Sequence, residues 1–169
     1  MKDMENSESK KCKDDIVYFV ENYVSILDPV SGKMKKLKLT GSQRAFLKNS
    51  QKKRFNVICG PRQSGVSLME KICLLHDFCF LENHHSVFIS NNLKSLKSWR
   101  VIFKSILENL SPEIKPSIVR DNSNEISSSS GNTLKFYSRK EDFIDTTYDS
   151  LVVDNAGYLG SGGLEFLRT

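Results

Sequence analysis

Hydrophobic residues in this chain follow two kinds of spacing, one typical of amphipathic helices and one typical of short buried strands. Helical spacing over residues 14–27 follows a candidate N-cap at Asp14 or Asp15. The apolar face of this predicted helix consists of Ile16, Val20, Tyr23, Val24 and Leu27. A longer helix is predicted after Asn91 or Asn92. Its apolar stripe consists of Leu96, Trp99, Phe103, Ile106, Leu107 and Leu110. Both helices therefore have one face suited to a core, and we expect the tryptophan to be a core anchor.

Continuous apolar runs over residues 55–59, 86–90 and 151–154 predict three buried strands. A helix is predicted over residues 67–81, between the first two runs. Alternation of apolar strands with helices is typical of an α/β fold built on a parallel sheet. The fold class expected from the pattern is therefore α/β, with a parallel sheet flanked by helices.

Turn residues divide the rest of the chain. Two turn signals within residues 27–39 predict a hairpin, and Thr40 can open a short helix. Residues 117–138 read as short antiparallel strands with a turn at Gly131. Residues 140–149 form a predicted acidic loop. Residues 1–13 are polar and charged, so we expect a disordered basic tail followed by a single domain over residues 14–169.

Composition excludes several classes of protein. The 169 residues contain no apolar run close to the roughly 20 residues of a membrane span. The N-terminus has no apolar core of a signal peptide, so we expect a cytoplasmic protein without a membrane partner. The four cysteines form no C-x-x-C pair, which argues against a cysteine metal site.

Positive charge is concentrated in the first third of the chain. Residues 1–56 carry 13 Lys and Arg against 7 Asp and Glu, whereas the whole protein has a net charge of +5. The basic clusters lie at residues 10–13, 33–38 and 52–54. Such clusters suit nucleic-acid phosphates, but they also occur on ordinary solvated surfaces, and both interpretations remain open.

The strongest chemical motif is a near match to the phosphate-binding loop G-x-x-x-x-G-K-[ST]. It reads Gly60-Pro61-Arg62-Gln63-Ser64-Gly65-Val66-Ser67. In such loops backbone N–H groups and a helix N-terminus hold the phosphates, the lysine grips the β- and γ-phosphates, and the final hydroxyl binds Mg²⁺. Val66 stands in the lysine position, so we expect ATP and Mg²⁺ to bind weakly at most.

A second motif is the apolar strand that ends in Asp154. In nucleotide-hydrolysing sites such a carboxylate holds Mg²⁺, and a following glutamate activates water. Asn155 occupies the position of that glutamate, and an amide accepts no proton near neutral pH. Losing one electrostatic donor costs about 10²–10³ in rate and losing a general base about 10²–10⁴, so little or no hydrolysis is expected.

With these residues in view, the chain resembles the ATPase domain of the large terminase of tailed bacteriophages, the motor that pumps DNA into procapsids. The loop over residues 61–67 is similar to that family's R-Q-x-G-K-[ST] version, and residues 151–159 are similar to its h-h-h-D-E-A-x-h segment. Residues 40–44, Thr-Gly-Ser-Gln-Arg, look like its adenine-side glutamine motif. The resemblance covers about residues 14–160, nearly the whole predicted domain.

The resemblance implies a P-loop NTPase fold of the additional-strand (ASCE) class and a set of site residues. Gln43 would read the base, and Mg²⁺, if bound, would be held by Ser67 and Asp154. Arg62 could partly replace the missing lysine. The implied nucleotide-binding residues are Gln43, Gly60, Arg62, Gln63, Ser64, Gly65, Val66 and Ser67.

Departures from the family shape the expected architecture. The chain ends soon after Asp154, so we expect a sheet truncated after this acidic (Walker B) strand, without a nuclease domain. In this class of ATPase another strand normally separates the loop strand from the acidic strand. Either those two strands pair directly here, or the gap is filled in trans, or the chain is a fragment.

The expected function is that of a degenerate terminase-like ATPase domain in viral DNA packaging, acting in the cytoplasm of an infected bacterium. Its expected partners are terminase subunits or the packaging motor, with DNA as a further candidate. One alternative is a pseudo-ATPase that mimics a motor subunit and modulates or inhibits packaging. Another is a stand-alone DNA-binding module that uses the basic first third.

Overall fold

The computed structural model describes residues 2–28, 30–52, 56–61, 63–90, 92–138 and 147–154. Within these residues the chain forms helices, one larger sheet and a small separate hairpin. The helices are α1 Lys2–Asp14, α2 Ile16–Tyr23, α3 Gly41–Ser50, α4 Val66–Phe80 and α5 Leu93–Glu108. The strands are β1 Ser25–Leu27, β2 Met34–Lys36, β3 His85–Ser90, β4 Ile118–Asp121, β5 Glu125–Ser128, β6 Thr133–Tyr137 and β7 Ser150–Asp154.

The main sheet has five strands in the order β4-β5-β6-β3-β7. β3 pairs in parallel with β6 on one side and with β7 on the other. β4, β5 and β6 pair antiparallel, as their turn signals predicted. The α/β class is therefore confirmed, but the sheet is mixed rather than parallel. Antiparallel strands enter it because β4, β5 and β6 are joined by short turns, which parallel pairing does not allow.

The N-terminal region follows its capping signals closely. Asp15 caps α2 by accepting from the N–H groups of Val17 and Tyr18, and Thr40 caps α3 in a reciprocal capping box with Gln43. The predicted hairpin is present, because β1 and β2 pair antiparallel. The helix predicted over residues 14–27 ends earlier than expected, at Tyr23.

The predicted disorder of residues 1–13 is wrong for the described residues, since Lys2–Asp14 forms α1. The Glu8 carboxylate accepts hydrogen bonds from the hydroxyls of Tyr18 and Tyr23, at 2.9 Å and 3.0 Å. Cys12 is fully buried, and its carbonyl lies 2.8 Å from His76 Nε2 on α4. Polar composition suggested disorder, but a few well-placed contacts dock this helix on α2 and α4.

The core lies mainly between the sheet and the helices, and α5 confirms its predicted stripe. All six apolar stripe residues of that helix region are buried. Trp99 is 1% exposed and stacks on Phe88 of β3 with a centroid distance of 4.8 Å. Phe103 and Phe136 flank the same indole at 5.0 Å each. This aromatic cluster fixes α5 against the middle of the sheet.

A polar cluster fixes the beginning of β7 against α4. Ser150 donates to Asp77 Oδ2 at 3.0 Å, and His84 Nε2 lies 2.8 Å from the Ser150 hydroxyl. Because β3 and β7 are parallel and in register from Ser86 to Ser90, the far end of β7 is placed beside the end of β3. Asp154 is thereby held at the edge where α4 begins.

The strand predicted over residues 55–59 is wrong for the described part of that segment. Phe55 lies outside the described residues, and residues 56–60 belong to no strand. Val57 is 89% exposed, and Cys59 is also exposed. An apolar run indicates strand propensity, but it does not show whether a neighbouring strand is available to pair with it. Within the described residues no strand pairs with the outer edge of β7, so the loop segment and the acidic strand do not pair directly.

Two further expectations concern membrane spans and the acidic loop. None of the helices there has the length and apolar content needed to cross a bilayer. Residues 140–146, most of the predicted acidic loop, lie outside the described residues, as does everything after Asp154.

Candidate phosphate-binding site

The glycine-rich loop leads directly into α4, and its backbone takes left-handed conformations twice. Gln63 has φ 65° and Gly65, the N-cap of α4, has φ 81°. Only glycine adopts such a conformation without cost, which accounts for Gly65. As a glycine, the N-cap Gly65 has no side chain to cap α4, so it leaves N–H groups of the first turn available to an anion.

Gln43 connects the loop to α3. Its Oε1 accepts from the Thr40 N–H at 3.0 Å, and its Nε2 donates to the Ser64 carbonyl at 3.1 Å. A Cβ added to Gly65 would lie 2.5 Å from that same Nε2, so a larger residue would displace the Gln43 amide as well as strain the backbone. An amide has two donors and two lone pairs, and Gln43 therefore keeps one of each for a base.

Val66 turns its side chain back toward the start of the loop. A Cβ added to Gly60 would lie 3.0 Å from Val66 Cγ2 and 3.1 Å from Ser64 Oγ. A larger residue at position 60 would therefore press on these side chains, and one methyl group of Val66 lies against the start of the loop. The residue that would supply an ammonium group in a complete motif supplies apolar surface instead.

Ser67 and Asp154, far apart in sequence, meet at the N-terminus of α4. The Ser67 hydroxyl donates to Asp154 Oδ1 at 3.1 Å. Asp154 is only 5% exposed at the end of β7. This pairing places the last residue of the loop motif against the acidic strand end. A hydroxyl that donates to a carboxylate keeps its lone pairs available to a cation or a donor.

Lys71 is a site residue that the sequence motifs did not indicate. Its Nζ lies 3.9 Å from Asp154 Oδ2 and 5.8 Å from the centre of the Phe88 ring. Its side chain is 18% exposed, and burial lowers its pKa. Lys71 follows Ser67 by one helical turn, so the two side chains share a face of α4. The four-residue spacing between Ser67 and Lys71 could have indicated this residue from the sequence. The spacing points to Lys71 only when Asp154 is known to lie beside that face of α4.

Glu70 is a second missed residue. Burial, followed by repulsion from Asp154, raises the pKa of Glu70 to about 7, and the Lys71 charge opposes this shift only in part. The carboxyl group therefore exchanges its proton near neutral pH. Its burial and the charge of Asp154 both oppose its ionisation, and Lys71 favours it.

Ser90 adds a neutral polar group at the same strand edge. It is the parallel register partner of Asp154, so the two side chains are neighbours on one face of the sheet. Ser90 is fully buried, and its hydroxyl finds no hydrogen-bond partner within the described part of the chain. A buried hydroxyl in that state has unused capacity for a ligand or a water molecule.

The structure therefore brings together most of the predicted site residues. The end of the loop and the first turn of α4 contain Ser64, Gly65, Val66 and Ser67. Gln43 is hydrogen-bonded to the loop, and Asp154 faces Ser67. Gly60 lies at the exposed start of the loop, close to Val66 and Ser64, and Gln63 is an exposed turn residue. Arg62 and Asn155 lie outside the described residues.

The donor set for a metal ion is sparse. Across the described ranges no group of three or more His, Cys, Asp or Glu side chains is placed to hold a metal. Among the described residues around the loop, the side-chain oxygens include the carboxylate of Asp154 and the hydroxyls of Ser64, Ser67 and Ser90. A comparison with protein-family models finds none that matches this chain.

Proposed function

We propose that this chain is a degenerate, terminase-like ATPase domain that binds nucleotide phosphates weakly and hydrolyses them little or not at all. The observation that carries the proposal is the 3.1 Å contact between Ser67 and Asp154. This contact places the end of the glycine-rich loop beside a buried carboxylate at the end of a parallel strand, as the phosphate-binding interpretation expects. The proposed setting is viral DNA packaging, with terminase subunits as partners in an infected bacterium.

The electrostatics of the site support binding without efficient hydrolysis. Backbone donors at the start of α4 and the helix dipole remain, and these favour an anion. Val66 contributes no charge to the β- and γ-phosphates, and the amide of Asn155 cannot act as a base. A P-loop NTPase-like fold is part of the proposal, supported by the loop–helix order at α4 and the strand end at Asp154 rather than by a complete parallel sheet.

Residues 1–56 support a DNA-binding interpretation less strongly than their net positive charge suggests. Lys11 pairs with Glu8, Arg44 with Glu21 and Lys35 with Asp28. These ion pairs offset part of the positive charge that a phosphate backbone would need. The phosphate loop is therefore the better-supported site, and it is the one to test first.

Val66→Lys should restore the positive charge that contacts the β- and γ-phosphates in a complete motif. We expect wild type to bind ATP weakly and the variant to bind about 10–100-fold more tightly, because a charge-assisted contact contributes about 1.5–3 kcal/mol. Isothermal titration calorimetry of both proteins measures the difference. Hydrolysis should stay near background in both, since position 155 remains an amide.

The matched control is Val101→Lys, which adds a lysine at an exposed position on α5. It corrects for the general effect of one added positive charge on nucleotide affinity. Equal affinities for the two lysine variants, with both proteins folded, would contradict the proposed site. Mg²⁺-dependent hydrolysis by wild type would contradict its inactivity.

A further inference from the structure

Among the described residues, the cation that lies against Asp154 is a side chain of the protein itself, Lys71. We propose that Lys71 takes the place of the divalent ion at Asp154, so that the site holds a polyphosphate in its metal-free form. This inference rests on the proposed function and narrows its ligand from a magnesium–nucleotide complex to the bare anion.

The position of Lys71 is built into the fold. It lies on the buried side of α4, one turn after Ser67, with its ammonium group between Asp154 and the ring of Phe88. Its aliphatic stem is covered, and only 18% of the side chain is exposed. Ser67 occupies Oδ1 and Lys71 approaches Oδ2, so each oxygen of the carboxylate has a partner from the same helix.

The remaining donors suit Mg²⁺ poorly. This ion is usually bound through one or two carboxylates together with phosphate oxygens. Here the carboxylate of Asp154 is balanced by the adjacent ammonium group of Lys71, and the hydroxyls of Ser67 and Ser90 are neutral. A divalent ion at Asp154 would have to displace or face the positive charge of Lys71.

The first experiment needs no nucleotide. Mn²⁺ serves as a paramagnetic probe for the Mg²⁺ site, and its binding is followed by electron paramagnetic resonance. We expect no Mn²⁺ binding that depends on Asp154: wild type and Asp154→Asn should give the same titration. Binding by wild type that Asp154→Asn abolishes would overturn the inference, whatever the Lys71 variants do.

Removing the lysine should create a metal site. Lys71→Met keeps the length and apolar stem of the side chain, and it should bind Mn²⁺ at least about 10-fold more tightly than wild type. The double variant Lys71→Met/Asp154→Asn should lose this gain. The matched control is Lys97→Met, at an exposed position on α5, and it should behave as wild type. Circular dichroism confirms folding, and a folded Lys71→Met that gains no Mn²⁺ binding contradicts the inference.

A second experiment addresses the polyphosphate. Wild type should bind ATP equally in EDTA and in excess Mg²⁺, within about 2-fold, whereas Lys71→Met should become dependent on Mg²⁺. A wild type that binds ATP only with Mg²⁺ overturns the inference and leaves the proposed function standing. Failure of wild type to bind ATP in either buffer overturns both the metal-free ligand and the proposed function, and the Mn²⁺ titration then shows whether Lys71 still blocks the carboxylate.

Discussion

Trp99→Ala is expected to lower the free energy of unfolding by about 3–5 kcal/mol, because it truncates the largest fully buried side chain of the described residues. The indole is 1% exposed and lies among Phe88, Phe103 and Phe136, with ring centroids 4.8–5.0 Å away. Truncation would leave a cavity between α5 and the sheet that these rigid rings cannot fill. Urea unfolding monitored by circular dichroism measures the loss.

Two variants separate packing from other effects of this substitution. Val101→Ala, on the exposed side of α5, should change the unfolding free energy by less than about 0.5 kcal/mol. Trp99→Phe should cost much less than the alanine variant, because it keeps an aromatic ring and removes an indole N–H that has no partner in the described part of the chain. Equal losses for alanine and phenylalanine would contradict the view that aromatic packing holds α5.

Glu70→Gln should stabilise the protein at alkaline pH and have little effect at acidic pH. Burial and the charge of Asp154 raise the pKa of Glu70 from 4.5 to about 7 in the folded protein. Below 4.5 both the folded and the unfolded states hold the proton, so the shift contributes nothing. Between 4.5 and 7 the unfolded state releases the proton first, and stability falls as pH rises.

Above pH 7 the penalty is constant and amounts to about 3 kcal/mol at most, from 1.36 kcal/mol per pKa unit. Glutamine removes this penalty because it carries no charge to desolvate. Urea unfolding of wild type and variant at pH 4.5 and pH 8 measures the difference. Glu108→Gln, at an exposed position on α5, controls for the loss of a surface carboxylate. A stabilisation that is the same at both pH values would contradict the assigned environment of Glu70.

Local signals in the sequence predicted most of the individual elements. Each of these elements depends on residues that are close in sequence. Examples are the caps at Asp15 and Thr40, the apolar stripe of α5 and the turn at Gly131. Such features need no knowledge of distant partners.

The errors concern elements whose state depends on distant partners. Residues 56–59 have the composition of a strand, but a strand needs a neighbour, and β7 does not provide one within the described residues. α1 is polar along its length, and it is held by contacts from Glu8 and Cys12 to residues of α2 and α4. Lys71 looked like an ordinary helix lysine until the fold placed Asp154 beside it.

The most direct test of the central claim is a titration of isotopically labelled protein with ATP, followed by ¹H–¹⁵N correlation spectra. The proposed site predicts that the largest shifts fall on the backbone amides of Ser64, Gly65, Val66 and Ser67 and on Asp154, since these groups surround the expected position of the phosphates. Shifts confined to the basic clusters at residues 10–13 and 33–38, with the α4 N-terminus unchanged, would contradict it.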